Sequence, residues 1–141
     1  MYSIEKTFYG FRITQVGRFG MDEVERYKAD VVRTLARHDQ PFSLVLDSRR
    51  LVLPTRDVLE VFAQLHEIVW RMSCRRVAII VESPIARNMA EQGCDKPEMA
   101  NQDRVIDARK YPDWESRAVA WLVDGVEPEY LPSAKISSVS Q

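Results

Sequence analysis

The sequence predicts an α/β protein: a single open, mostly parallel sheet with an N-terminal antiparallel hairpin and about four helices. Three observations carry this. Two short apolar runs, at 42–46 and 77–81, have the length and aliphatic content of strands covered on both faces, as in a parallel sheet. Segments of helical periodicity alternate with them, the order that right-handed crossovers produce. Ahead of both stand two runs rich in Ile, Thr, Phe, Tyr and Val, split by Gly10, which read as a hairpin. A chain of 141 residues is long enough for one domain with a sizeable core and too short for two large ones.

The hairpin takes residues 3–9 and 11–16, and Gly17 and Gly20 supply the turn after it. Val24, Tyr27, Val31 and Leu35 then recur at helical spacing, with Asp22, Glu23 and Glu25 in the first turn, where the helix dipole favours negative charge. A helix over 21–38 follows, stopped by Asp39-Gln40-Pro41. After the strand at 42–46 comes the clearest helical pattern: Val58, Val61, Phe62, Leu65, Ile68, Val69 and Met72, with Thr55 as N-cap and Asp57 in the first turn. The strand at 77–81 leads into Ser83-Pro84, an N-cap followed by proline at the first helical position, and a helix over 84–92 closed by Gly93. Residues 93–102 read as an irregular loop with one turn around 98–100. A last short strand at 104–107 precedes a helix opened by Pro112-Asp113 and ended by Gly125, on which Trp114, Ala118, Trp121 and Leu122 share a face. The domain therefore spans 1–126. Residues 127–141, with prolines and serines and no periodicity able to bury a face, are expected to form a flexible tail.

Composition removes several function classes. With 20 Lys and Arg against 21 Asp and Glu, the net charge of −1 argues against a dedicated nucleic-acid binder. No run approaches the roughly 18 apolar residues of a membrane span, and the first residues lack the regions of a signal peptide, so a cytoplasmic protein is expected. Cys74 and Cys94 are too few for a disulfide framework and are expected to be reduced. They and the two histidines, His38 and His66, show no metal-ligand spacing, so no metal and no cofactor is expected. No GxSxG, GxxxxGK[ST] or GxGxxG occurs among the five glycines. An enzyme would have to use Cys74 or Cys94 with His66. Arg75 and Arg76 beside Cys74 would lower its thiol pKa, but a thiol at a helix end more often fills space, and Cys94 has no base near it in sequence. The expectation is that the protein is not an enzyme.

Charge is uneven along the chain. Arg49, Arg50, Arg56, Arg71, Arg75 and Arg76 outnumber Asp57, Glu60 and Glu67, whereas residues 113–129 carry Asp113, Glu115, Asp124, Glu127 and Glu129 against Arg117 alone. The plainer reading is two solvated faces on opposite sides of the sheet. The sharper one gathers Arg49, Arg50 and Arg56 around the N-terminus of the second helix, where free amides and guanidinium groups would hold an anion or an acidic partner.

The stretch 44–59, beginning Leu44-Val45-Leu46-Asp47-Ser48, resembles the core of the STAS domain of sulfate transporters and anti-sigma-factor antagonists, and the order of elements is the same. The fuller resemblance is to the STAS-like, or SpoIIAA-like, family of small bacterial proteins, through a final strand like Arg104-Val105-Ile106-Asp107 and a helix like Ala118-Val119-Ala120-Trp121-Leu122; it covers residues 3–124. In the antagonists a phosphorylated serine lies in an Asp-Ser-Ser-Gly turn, and the matching positions here are Thr55, Arg56, Asp57 and Val58, with no serine to modify. The resemblance implies a non-enzymatic regulatory or binding domain acting through protein contacts, with Asp47, Ser48, Arg49, Arg50, Thr55, Arg56 and Asp57 as the surface for a protein partner or anion. It also implies an alternative, because the family is similar in fold to lipid-carrier domains: a small nonpolar ligand held between helices and sheet, against Phe62, Leu65, Val69, Met72, Met89 and Met99. Apolar Tyr2, Phe8 and Phe11 at the edge hairpin leave a homodimer through that edge open.

Overall fold

The computed structural model describes residues 1–93 and 101–130. Five strands form one sheet in the order β1-β2-β3-β4-β5: β1 (Tyr2–Lys6), β2 (Gly10–Gly17), β3 (Phe42–Leu51), β4 (Cys74–Val81) and β5 (Asp103–Asp107). β1 and β2 pair antiparallel, and every later pair is parallel. Helices α1 (Met21–Ala36), α2 (Arg56–Arg71) and α3 (Pro84–Gly93) cross between successive parallel strands, and α4 (Trp114–Asp124) follows β5. Because the strand order never reverses, crossovers of one hand place α1, α2 and α3 on a single face, leaving α4 to cover the other.

The two faces follow the alternation along the strands. Phe11, Ile13, Leu44, Val77, Ile79 and Val81 pack with the buried stripes of α1 (Val24, Tyr27, Val31, Leu35) and α2 (Val58, Val61, Leu65, Val69). Val45, Ala78, Ile80 and Ile106 pack instead with Ala118, Trp121 and Leu122 of α4. The capping expected at both central helices is present: Thr55 Oγ1 accepts from the Val58 amide at 3.5 Å, and Ser83 Oγ from the Ala86 amide at 3.1 Å. Gly125 ends α4 in the left-handed conformation at φ 70°.

β3 continues well past its apolar run. Residues 47–51, beyond the strand expected at 42–46, stay in the sheet because β2 pairs with them as far as Gly17–Leu51, and because the polar side chains of Asp47 and Ser48 find partners. Between the pairs Thr14–Asp47 and Val16–Arg50 two residues of β3, Ser48 and Arg49, stand opposite Gln15 alone, which makes a bulge. Asp47 and Arg49 project towards α4, and Ser48 towards α1 and α2.

The edge hairpin offers less apolar surface than the sequence suggests. Phe11 is buried in the core, and Tyr2 packs on Phe19 and Tyr27 and donates to Asp30; of the three residues named for a dimer edge only Phe8 is exposed. Nor do the basic and acidic segments lie apart. Arg49 stacks on Trp114 at 4.6 Å, and Arg76 donates to the Leu122 carbonyl, so two of the arginines bind the acidic helix. The stretch from 127 onward begins with anchored residues: Glu127 pairs with Arg104, and Pro128–Tyr130 forms a 3-10 turn whose Pro128 carbonyl accepts from Arg117. Residues 94–100 and 131–141, which include the expected loop and turn and the rest of the tail, lie outside the described residues.

Candidate ligand cavity

A cavity of about 410 Å³ lies between the sheet and the helices α1, α2 and α3. Its floor is the core-facing phase of the strands, from Ile13 on β2 through Leu44 and Leu46 on β3 to Val77, Ile79 and Val81 on β4. Phe62, Leu65 and Val69 of α2 form one wall, and Ile85, Ala86, Met89 and Ala90 of α3 the other. α3 explains why the space stays open. It is amphipathic and reaches the sheet at β4 and β5, yet none of its residues is fully buried: Ala86 and Ala90 pack only partly against the core, and its apolar stripe borders the cavity. Leu53 and Ile85, which line the cavity and are largely exposed, mark a mouth at the carboxyl ends of the strands.

Few polar groups interrupt this lining. Gln15, Tyr27 and Ser48 form a buried chain in which Ser48 Oγ donates to Gln15 Oε1 at 2.8 Å and Gln15 Nε2 donates to the Tyr27 hydroxyl at 2.9 Å. On α2, His66 borders the cavity and approaches Asp103, at the start of β5. Its Nε2 comes within 2.6 Å of Asp103 Oδ2, but the ring N–H does not point at that oxygen; neither carboxylate oxygen of Asp103 accepts a hydrogen bond among the described residues. The Asp103 side chain is fully buried, and its approach to His66 is a close contact and not a formed hydrogen bond.

Of the residues expected to line a pocket, Phe62, Leu65, Val69 and Met89 do so. Met72 does not border the cavity; it packs against the core beyond the C-terminal end of α2, and Met99 lies outside the described residues. Gln15, Tyr27 and His66 had no place in that set. A signal for Gln15 does exist, since a polar side chain occupies the phase shared by Phe11 and Ile13, where an alternating strand should present apolar groups.

The surface expected to hold a partner is split by the sheet. Asp47 is buried on the α4 side, bound by Arg49 and by Arg12 at 2.9 Å, and Ser48 is buried on the cavity side. Arg49 is committed to Asp47 and Trp114, leaving Arg50, Thr55, Arg56 and Asp57 exposed. The gathering of three arginines around the start of α2 therefore loses Arg49, which the alternation of β3 turns to the opposite face.

Burial opposes ionisation of Asp47, but the hydrogen bonds from Arg49 and Arg12 outweigh it and hold the carboxyl below its ordinary range; Arg109 does the same for Asp107. A depressed carboxyl contributes stability that is present above its unfolded pKa and is lost as pH falls through the folded value. Thermal midpoints measured against pH are expected to hold steady from neutrality down to about pH 4, where carboxylates ordinarily titrate, and to fall below it. Asp47→Asn should flatten part of that fall. Cys74 behaves oppositely to its sequence context: burial and the nearby Asp103 charge push its thiol up to about 12, and its Sγ–H faces the Arg76 carbonyl at 3.8 Å. Such a thiol is a poor nucleophile. Cys94 lies outside the described residues.

Among the described residues no group of three or more His, Cys, Asp or Glu side chains is placed to hold a metal ion, and no helix is long and apolar enough to cross a membrane. The architecture is that of a SpoIIAA-like α/β domain. The crystal structure of an uncharacterized protein from the DUF3478 family with a SpoIIAA-like fold, from Shewanella loihica PV-4, matches with a TM-score of 0.55 over 81% of this chain and 91% of that one. The two are 19% identical, a level at which the likeness defines fold alone. No family model and no curated protein matches the chain.

Proposed function

We propose that this protein binds a small nonpolar molecule in the cavity beneath α2 and α3, as a carrier or sensor and without catalysis. One observation carries the reading: about 410 Å³ of mainly apolar space stands open beside a helix, α3, whose apolar residues are at most partly buried. Protein interiors are normally filled to crystal-like density, and an apolar void forfeits the dispersion contacts of its walls. The volume falls within the range of small-molecule sites. Burial keeps the Cys74 thiol protonated, so it does not supply the nucleophile that a catalytic reading would need.

The test is binding of a neutral apolar fluorophore, N-phenylnaphthylamine, to the full chain and to Ala86→Phe, which fills the cavity from α3. Saturable enhancement at one probe per chain, weakened at least about tenfold in the variant, is the expected result. No binding, or equal binding by a variant that remains folded, would overturn the reading.

A second reading, docking of a protein partner, is supported by exposed Val52 and Leu53 beside exposed Arg50 and Arg56 at the cavity mouth. A partner that co-purifies with the wild type and is retained by the Arg50→Glu, Arg56→Glu double variant would remove it.

A further inference from the structure

We infer, on the reading that the cavity holds a nonpolar molecule, that this molecule carries an uncharged hydrogen-bond-accepting oxygen, a carbonyl in the simplest case, and that Tyr27 donates its hydroxyl proton to it. The argument is a count of donors. Gln15, Tyr27 and Ser48 are 3%, 2% and 8% exposed, and all three border the cavity. As the side chains stand, the chain runs one way: Ser48 donates to the Gln15 amide oxygen, and the amide nitrogen donates to the Tyr27 oxygen. The Tyr27 proton is then left without an acceptor among the described residues. Turning the amide over reverses both bonds and strands the Ser48 proton instead. One amide has one oxygen, so a chain with a hydroxyl at each end leaves one hydroxyl donor over in either orientation, beside the second N–H of the Gln15 amide itself.

A buried donor without a partner costs free energy that an accepting atom in the cavity recovers. Burial pushes the Tyr27 hydroxyl well above its ordinary pKa, so the group remains a donor at any physiological pH. The accepting atom is uncharged because no Lys or Arg lines the cavity wall beside Tyr27, away from the arginines at the mouth, and an anion there would be a buried charge without a counterion. The remaining titratable side chain in the wall, His66, sits against the Asp103 carboxylate, which itself repels an anion. A nonpolar body is required by the rest of the lining.

The test is displacement of N-phenylnaphthylamine from the full chain by a medium-chain methyl ketone, by the alkane of the same length and by the fatty-acid anion of that length. The ketone is expected to displace the probe about tenfold more tightly than the alkane, the free energy of one hydrogen bond, and more tightly than the anion. Tyr27→Phe should bring the ketone down to the alkane's level, read as the ratio of the two within the variant, with retained probe binding showing that the cavity is intact. Equal displacement by ketone and alkane in the wild type, tighter displacement by the anion, or a ketone preference that survives in Tyr27→Phe would each overturn the inference while the cavity reading stands. A probe that does not bind at all overturns the cavity reading instead. The wild-type comparison needs no variant, so it decides even where Tyr27→Phe fails to fold.

Discussion

Gly10→Ala is expected to lower stability by about 3 kcal/mol or more, enough to remove a large part of the margin by which a domain of this size stays folded. Gly10 opens β2 at a φ of 145°, in a region that residues with a Cβ rarely enter. A Cβ placed there would stand 2.2 Å from the Ser43 carbonyl oxygen and 2.7 Å from the Ser43 nitrogen. Both are backbone atoms of the paired strand, and the Ser43 amide is already held by the Tyr9 carbonyl at 2.9 Å. No side chain can swing aside, so the start of β2 must separate from β3, and the floor of the cavity goes with it. Gly17→Ala is the comparison. Its φ of 79° imposes the backbone cost, on the order of 1 kcal/mol, but nothing lies within 4 Å of the added carbon. Urea midpoints of the two variants separate the clash from the conformation.

Trp121→Ala is expected to cost about 3–5 kcal/mol, the range for large-to-small changes at buried aromatic sites. Trp121 is 4% exposed at the centre of the cluster beneath α4. Its Nε1–H is shared between the Val77 and Gln102 carbonyls, at 3.1 and 3.3 Å, and the Arg104 guanidinium lies 4.1 Å from the ring centroid. Truncation therefore opens a void, strips two carbonyls of a donor and removes a surface on which a cation rests. The position also makes the variant informative about binding. Trp121 lies on the face of the sheet away from the cavity, so a folded Trp121→Ala protein should bind the fluorophore with wild-type affinity despite its lower denaturation midpoint. Ala86→Phe should do the reverse.

Much of the architecture was legible because the residues that build it are locally consistent. The stripes of α1 and α2, the caps at Thr55 and Ser83, and the left-handed stop at Gly125 each follow from rules that operate within a few residues. The extension of β3 was not legible in that way. Asp47 and Ser48 end an apolar run and look like the start of a loop, and the partners that tie them to β2, Arg12 on one face and Gln15 on the other, are distant in sequence. The same extension divided the expected partner surface, since alternation sends neighbouring residues to opposite sides.

The pocket residues on α2 were legible as an apolar stripe, but a stripe that fills a core and one that walls a cavity read alike. What separates them is α3. Its apolar residues have the helical spacing of a buried face, and whether they are buried depends on how far the crossover from β4 to β5 holds the helix off the sheet. The polar chain was hidden for a related reason: Gln15, Tyr27 and Ser48 come from three elements, and their significance lies in a donor count that exists only once they meet.

The central claim is that this space admits a nonpolar molecule, and methyl-detected NMR during titration with a medium-chain methyl ketone addresses it most directly. The account predicts shifts at the methyls of Leu44, Leu65, Val69, Ile79 and Met89, which border the cavity, with those of Val45, Ile80 and Ile106 on the opposite face unmoved. Unperturbed cavity methyls at saturating ketone, or shifts spread equally over both faces, would contradict it.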